Sequence, residues 1–215
     1  MVGEISNVVV HYFDLMGKGE VTRLILHYGG QDFKDDRVVY DAATWQETRE
    51  KMNLPFGLMP LLEFELDGKR HKLSQSRAIE TFLASRFDLL PKCELARAVA
   101  LQYLLGIDDV MLNFKAFWLE QDLEKKAVLI KNAIKDQFHP FAARFNNFIK
   151  ENGTGFLVGD KLSVADIALY QMLWILSNKF TVSLDAYPEA QKLFQTVENN
   201  EKLKSYIDSR PDAPL

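Results

Sequence analysis

Every run in this chain that reads as a β-strand lies within its first 75 residues, and everything past Pro91 repeats with helical spacing. A chain divided in this way folds as an α/β layer followed by helices rather than as one mixed sheet. Val8 to Phe13 is β-branched and aromatic with no helical period, and Gly17 stops it, so it reads as a short buried strand. Val21, Leu24, Ile25 and Tyr28 then mark one helical face from Glu20 to Tyr28, closed by Gly29-Gly30. Arg37 to Tyr40 is a second β-branched run, completing a βαβ unit with parallel strands. Leu61 to Leu66 and Arg70 to Leu73 flank Asp67-Gly68, a hairpin signal, and Ser76 to Arg86 resumes helical spacing. The first half is thus βαβ followed by ββα.

The four later segments, Leu95 to Phe117, Glu124 to Glu151, Val164 to Leu176 and Pro188 to Ser205, predict an all-α second domain. Leu89-Leu90-Pro91-Lys92 reads as the linker, because proline opposes a continuous helix there. The expected domains are residues 4–87 and 92–215.

Composition narrows the functions. The net charge of −4, with no concentrated stripe of Lys and Arg, argues against a nucleic-acid partner. No apolar run approaches the ~20 residues that span a bilayer, so no membrane role is expected. The single cysteine, Cys93, forms no intrachain disulfide, and the polar first residues carry Glu4, unlike a secretory signal; a cytoplasmic protein is the expectation. The four histidines have no zinc-ligand spacing, and no metal is expected.

Four local features carry chemistry. Tyr12 ends the first strand just before Gly17-Lys18-Gly19 and a helix, where open α/β sheets collect ligands. A phenol there can donate to a thiolate, or be structural. His11 points to the opposite face of the strand and is not its base. Pro60 opens a strand after Met59; a cis Met59–Pro60 bond would turn the Met59 main chain toward a peptide-like ligand, whereas a trans bond makes it a strand-leading proline. Ser76 is placed to cap its helix, or to hold an anion at that N-terminus. Ser163-Val164-Ala165-Asp166 resembles a capping box and is assigned to structure.

In their order along the chain these features resemble the sigma-class glutathione transferases. Tyr12-Phe13-Asp14-Leu15-Met16-Gly17-Lys18-Gly19-Glu20 is similar to that family's YFxxRGRxE, and Pro55-Phe56-Gly57-Leu58-Met59-Pro60 to PFGxxP. Gln75-Ser76-Arg77-Ala78-Ile79 matches QSxAI. The stretch Gly155 to Asp166 resembles the helical-domain signature, and Arg210-Pro211 fits the tail. The resemblance implies a thioredoxin-like N-terminal domain, an all-α C-terminal domain, and a detoxification transferase using glutathione as co-substrate. Tyr12 would hold the sulfur as thiolate for attack on a small hydrophobic electrophile. Gln75 and Ser76 would bind the γ-glutamyl end, and Met59, before a cis Pro60, the cysteinyl main chain. Trp45 and Arg49, one helical turn apart, would hold the glycyl carboxylate. A homodimer is implied, with Asp109 reaching glutathione bound in the other subunit. Phe13, Met16, Met111, Phe117 and Trp118 are candidates for an apolar acceptor pocket between the domains, or for core packing. Met16 and Lys18 stand where the family has arginines, and Leu58 where Lys or Gln is usual, so weaker glutathione binding is expected. The alternatives are a crystallin-like binding or structural protein with little activity, and a prostaglandin isomerase.

Overall fold

The computed structural model describes residues 3–211, with only the main chain of Lys115. The chain forms two compact units: one runs through Asp88 and takes in the tail from Glu201, and the other is Leu89–Asn200. The first boundary falls between Asp88 and Leu89. The tail differs: Pro188 to Ser205 is not one helix but breaks after Glu198, and the short helix beyond it belongs to the first unit.

In the first unit, β1 (Ile5–Phe13), β2 (Phe33–Val38), β3 (Leu61–Leu66) and β4 (Lys69–Ser74) form a sheet in the order β2-β1-β3-β4. β1 and β2 are parallel, and the other two pairings are antiparallel. Helices α1 (Glu20–Tyr28), α2 (Trp45–Lys51) and α3 (Ser76–Arg86) follow β1, β2 and β4 respectively. From Val8 onward β1 buries alternate residues, Val8, Val10 and Tyr12, the period-2 pattern of a strand with one face on a core. Asp67 and Gly68 both take positive φ, as the two-residue turn joining β3 to β4 requires.

β2 lies earlier than its apolar residues indicate: Val39 and Tyr40 are exposed, and the strand is the charged run Phe33–Val38. It is an edge strand whose charges pair. Asp35 accepts from Arg23 Nε at 2.9 Å and from Arg37 Nε at 2.7 Å, so hydrophobicity alone misplaces it.

The second unit contains α4 (Glu94–Leu112), α5 (Phe114–Trp118), α6 (Leu123–Ala133), α7 (His139–Asn152), α8 (Val164–Phe180) and α9 (Pro188–Glu198). α8 is buried nearly all round, as expected of a helix apolar on every face, and packs against α4 and α9. The expected long helix from Glu124 to Glu151 is interrupted by a π turn at Ile134–Phe138, where the His139 N–H reaches Ile134 O. Pro140 explains the break, since it has no N–H to donate and crowds the preceding turn. Ser163 and Asp166 form the capping box: Asp166 Oδ2 accepts from Ser163 N at 2.8 Å and from Ser163 Oγ at 2.6 Å. Asp166 Oδ1 also accepts from Leu157 N at 2.8 Å, tying the preceding loop to α8. The last helix, α10 (Lys204–Ser209), belongs to the first unit.

Candidate active site

Strand register brings the first unit's candidates to one end of the sheet. His11 of β1 pairs with Leu61 of β3, and Leu61 with Ser74 of β4. Tyr12 therefore lies level with Pro60, which precedes β3, and Pro60 in turn with Gln75, which follows β4 one strand further from β1. This is the carboxyl end of β1, where the chain leaves the sheet for α1.

Tyr12 is 7% exposed. A single 3-10 turn, Gly17–Gly19, wraps it, and its hydroxyl accepts the Lys18 N–H at 2.9 Å. Both glycines are dictated by this wrapping. A Cβ at Gly17, where φ is +35°, would lie 2.6 Å from the Tyr12 hydroxyl; one at Gly19 would lie 2.6 Å from Cδ1 of the ring. Burial pushes the phenol above its usual pKa, although the Lys18 N–H and the positive charge of Arg23 both pull it down. The net effect keeps Tyr12 protonated. Its oxygen is engaged as an acceptor while its hydrogen remains available to donate, which is the form needed to stabilise an anion. His11 faces the other way, with Nδ1 2.6 Å from Asp36 Oδ2.

The other candidates take distinct positions. Met59–Pro60 is cis, with Pro60 buried. Ser76 does not cap α3: Gln75 occupies the N-cap position, and neither a hydroxyl nor an amide side chain closes that end. Gln75 adopts φ 74° and ψ 113°, a conformation that costs a residue with a Cβ about 1–3 kcal/mol. That turn places buried Ser76 first in α3, among the N–H groups that have no partner within the helix. Trp45 and Arg49 lie on one face of α2, both half-buried. The Trp45 ring packs 5.1 Å from that of Phe13, which in turn lies 5.6 Å from Tyr12.

Two acceptor-pocket candidates are interior. Met16 is 2% exposed and its carbonyl accepts the N–H groups of Gly19 and Glu20 at the base of the Tyr12 loop. In the second unit, Phe117 is equally buried in a cluster with Phe114 and Phe180, whereas Trp118 is 42% exposed and Met111 is half-buried. Asp109 is exposed on α4. Among the described residues no cluster of His, Cys, Asp and Glu could hold a metal ion, and no helix is long and apolar enough to cross a membrane.

Sequence reasoning overlooked a buried ionic cluster behind Tyr12. Arg23, wholly buried, donates to Glu20 Oε2 at 3.1 Å, Asp35 Oδ1 at 2.9 Å and Leu15 O at 3.0 Å, with its guanidinium carbon 5.9 Å from the Tyr12 ring centre. Its signal was two opposite charges three residues apart within the apolar face of α1.

The family model described as Glutathione S-transferase, C-terminal domain, matches residues 108–210. Probable glutathione S-transferase 7 of Caenorhabditis elegans is 35% identical over 96% of this chain and 98% of its own. The chain belongs to the glutathione S-transferase family. It is a glutathione transferase by fold and by relationship, with glutathione as co-substrate. A glutathione S-transferase from the hookworm Necator americanus, described as monomeric, superposes with a TM-score of 0.81 at 30% identity, covering 98% of this chain and 100% of its own. The prostaglandin synthase D of Nilaparvata lugens superposes with a TM-score of 0.82 at 27% identity, covering 96% and 99%. This transferase therefore pairs the expected thioredoxin-like sheet with an all-helical second unit.

Proposed function

We propose that Tyr12 is the catalytic residue of a sigma-like detoxification enzyme, donating its hydroxyl hydrogen to the sulfur of bound glutathione. The thiolate attacks a small hydrophobic electrophile, forming the C–S bond; with an aryl halide, halide leaves and the thiol proton passes to solvent. The observation that supports this most is a phenol kept protonated at the sheet end where Met59, Gln75 and Ser76 also gather. A bond to a charged partner is worth about 1.5–3 kcal/mol, which lowers the thiol pKa by ~1–2 from about 8.5.

Gln75 and Ser76 are assigned to the γ-glutamyl end, the Met59 main chain before Pro60 to the cysteinyl part, and Trp45 and Arg49 to the glycyl carboxylate. Phe13, Met111 and Trp118 remain the accessible candidates for electrophile contacts, and Met16 and Phe117 would act only from the interior. A cytoplasmic homodimer is part of the proposal. Leu101, Leu105 and Leu112 form an exposed apolar stripe along α4, close to Asp109, which would then reach the neighbouring subunit's glutathione. The monomeric hookworm relative makes oligomeric state a necessary measurement.

The purified protein should be retained on immobilised glutathione and should conjugate a general aryl halide. Retention without turnover on a broad electrophile panel would favour the crystallin-like reading. The resemblance to a prostaglandin synthase motivates including a prostaglandin endoperoxide in that panel.

A further inference from the structure

The tail of the first unit returns to α1 on a single helical stripe. Tyr206 of α10 stacks on His27 with ring centres 4.0 Å apart, and Lys202 lies 4.5 Å above the Tyr28 ring. About two turns earlier on α1, Glu20 Oε1 accepts from the Tyr206 hydroxyl at 2.9 Å and from Arg210 Nη1 at 3.1 Å. Residues 20, 27 and 28 share one face of a helix. Glu20 and Arg210 are almost wholly buried, so these bonds are made away from water.

The chain of contacts continues toward the site. Glu20 Oε2 accepts from Arg23 Nη1, and that same nitrogen donates to Leu15 O. Leu15 begins the loop whose Met16 carbonyl seats the 3-10 turn, and the turn delivers the Lys18 N–H to the Tyr12 hydroxyl. Among the described residues, the charged or titratable groups around Glu20 and Arg23 include Tyr12, Asp35, Arg37, Arg210, Tyr206 and His27. Burial, then the Glu20 charge, keeps Tyr206 protonated as a donor, and burial keeps His27 toward its neutral form.

We infer that Tyr206 and Arg210 are positioning residues for the Tyr12 loop, acting through Glu20 and Arg23. This rests on the assignment of Tyr12 as the thiol-activating residue. The tail fixes which way the Glu20 carboxylate faces. With both tail donors gone, Glu20 turns its whole charge on Arg23, loosens the Leu15 contact and diminishes the positive field over Tyr12.

The test uses the full chain with Tyr206→Phe, Arg210→Met, Arg210→Lys and Tyr12→Phe, each checked for folding by circular dichroism and thermal unfolding. Tyr206→Phe retains the ring stacking and removes only the hydroxyl, so it serves if Arg210→Met does not fold. Each of the two is expected to lower kcat/KM for conjugation about tenfold, a part of the ~100-fold that a 1 Å misplacement costs. The pH midpoint of kcat/KM should rise by about half a unit, as a weaker field at the sulfur requires. Arg210→Lys, which can still make the single bond to Glu20, should recover most of the activity. Folded variants with unchanged turnover and pH midpoint, beside a Tyr12→Phe that has lost activity, would overturn the positioning role alone. A Tyr12→Phe with full turnover would overturn the Tyr12 assignment, and this inference with it.

Discussion

Replacing Gly19 by alanine sets two physical effects against each other. Gly19 has φ −90° and ψ −24°, helical values that alanine adopts readily, so backbone propensity alone predicts a gain of about 1 kcal/mol. Sterics predict the reverse. The new Cβ would lie 2.6 Å from Cδ1 and 2.7 Å from Cγ of Tyr12, about 1 Å inside the ~3.5–4.0 Å of ordinary carbon contact. The ring has nowhere to go: it is buried, and the Lys18 N–H holds its hydroxyl. Overpacking of this kind costs about 1–3 kcal/mol, so net stability should change little or fall by ~2 kcal/mol. Turnover should suffer far more, because an ångström of displacement at a reacting group costs about 100-fold. Gly106→Ala in the middle of α4 is the control, since a Cβ there meets nothing within 4 Å. It should gain about 1 kcal/mol, or ~2–4 °C in Tm, with unchanged conjugation. The assay is aryl-halide conjugation at saturating glutathione, paired with thermal unfolding. A Gly19→Ala protein as stable and as active as Gly106→Ala would refute the idea that Gly19 is there to let the Tyr12 ring approach.

Asp166→Ala should destabilise the protein by about 3 kcal/mol, because it strands the buried N–H groups of Leu157 and Ser163 at ~1–3 kcal/mol each; urea unfolding measures it, and a loss under 1 kcal/mol would contradict it. Burial pushes the Asp166 carboxyl up to about 6 from its ordinary 3.8, despite the hydrogen bonds it accepts. With the folded value raised, the stability this group contributes is present in full below pH 3.8 and is lost as pH rises through 6, a change of ~3 kcal/mol. The unfolding free energy of the wild type relative to Asp166→Asn should therefore fall between pH 4 and pH 7, and a flat difference would show that the carboxyl is ionised throughout.

The parts of this molecule that the sequence displayed were those governed by local rules. The hairpin was legible because Asp67-Gly68 has to adopt positive φ, and α1 and α3 because their apolar positions repeat at helical spacing. The Ser163–Asp166 cap was legible from spacing alone. β2 was misread because its charged residues are neutralised by partners on α1 and on the strand itself, which no hydrophobicity pattern records. The π turn could have been suspected from Pro140, whereas the return of the tail to α1 depends on contacts some 190 residues apart. At the site, Tyr12 stood out as a strand-end phenol, whereas the Lys18 main-chain N–H reaches its hydroxyl only through the folded Gly17–Gly19 turn. Of the two roles the sequence left open for Ser76, the cap is not taken up, since the strained Gln75 occupies the capping position.

Titrating the thiol of bound glutathione tests the central claim most directly. The ultraviolet absorbance of the thiolate, followed from pH 5 to pH 10 with saturating glutathione, should show a midpoint ~1–2 below the free value of about 8.5 in the wild type, and a return toward 8.5 in Tyr12→Phe with glutathione still bound. The same midpoint in both proteins would contradict the assignment of Tyr12 as the group that stabilises the sulfur anion.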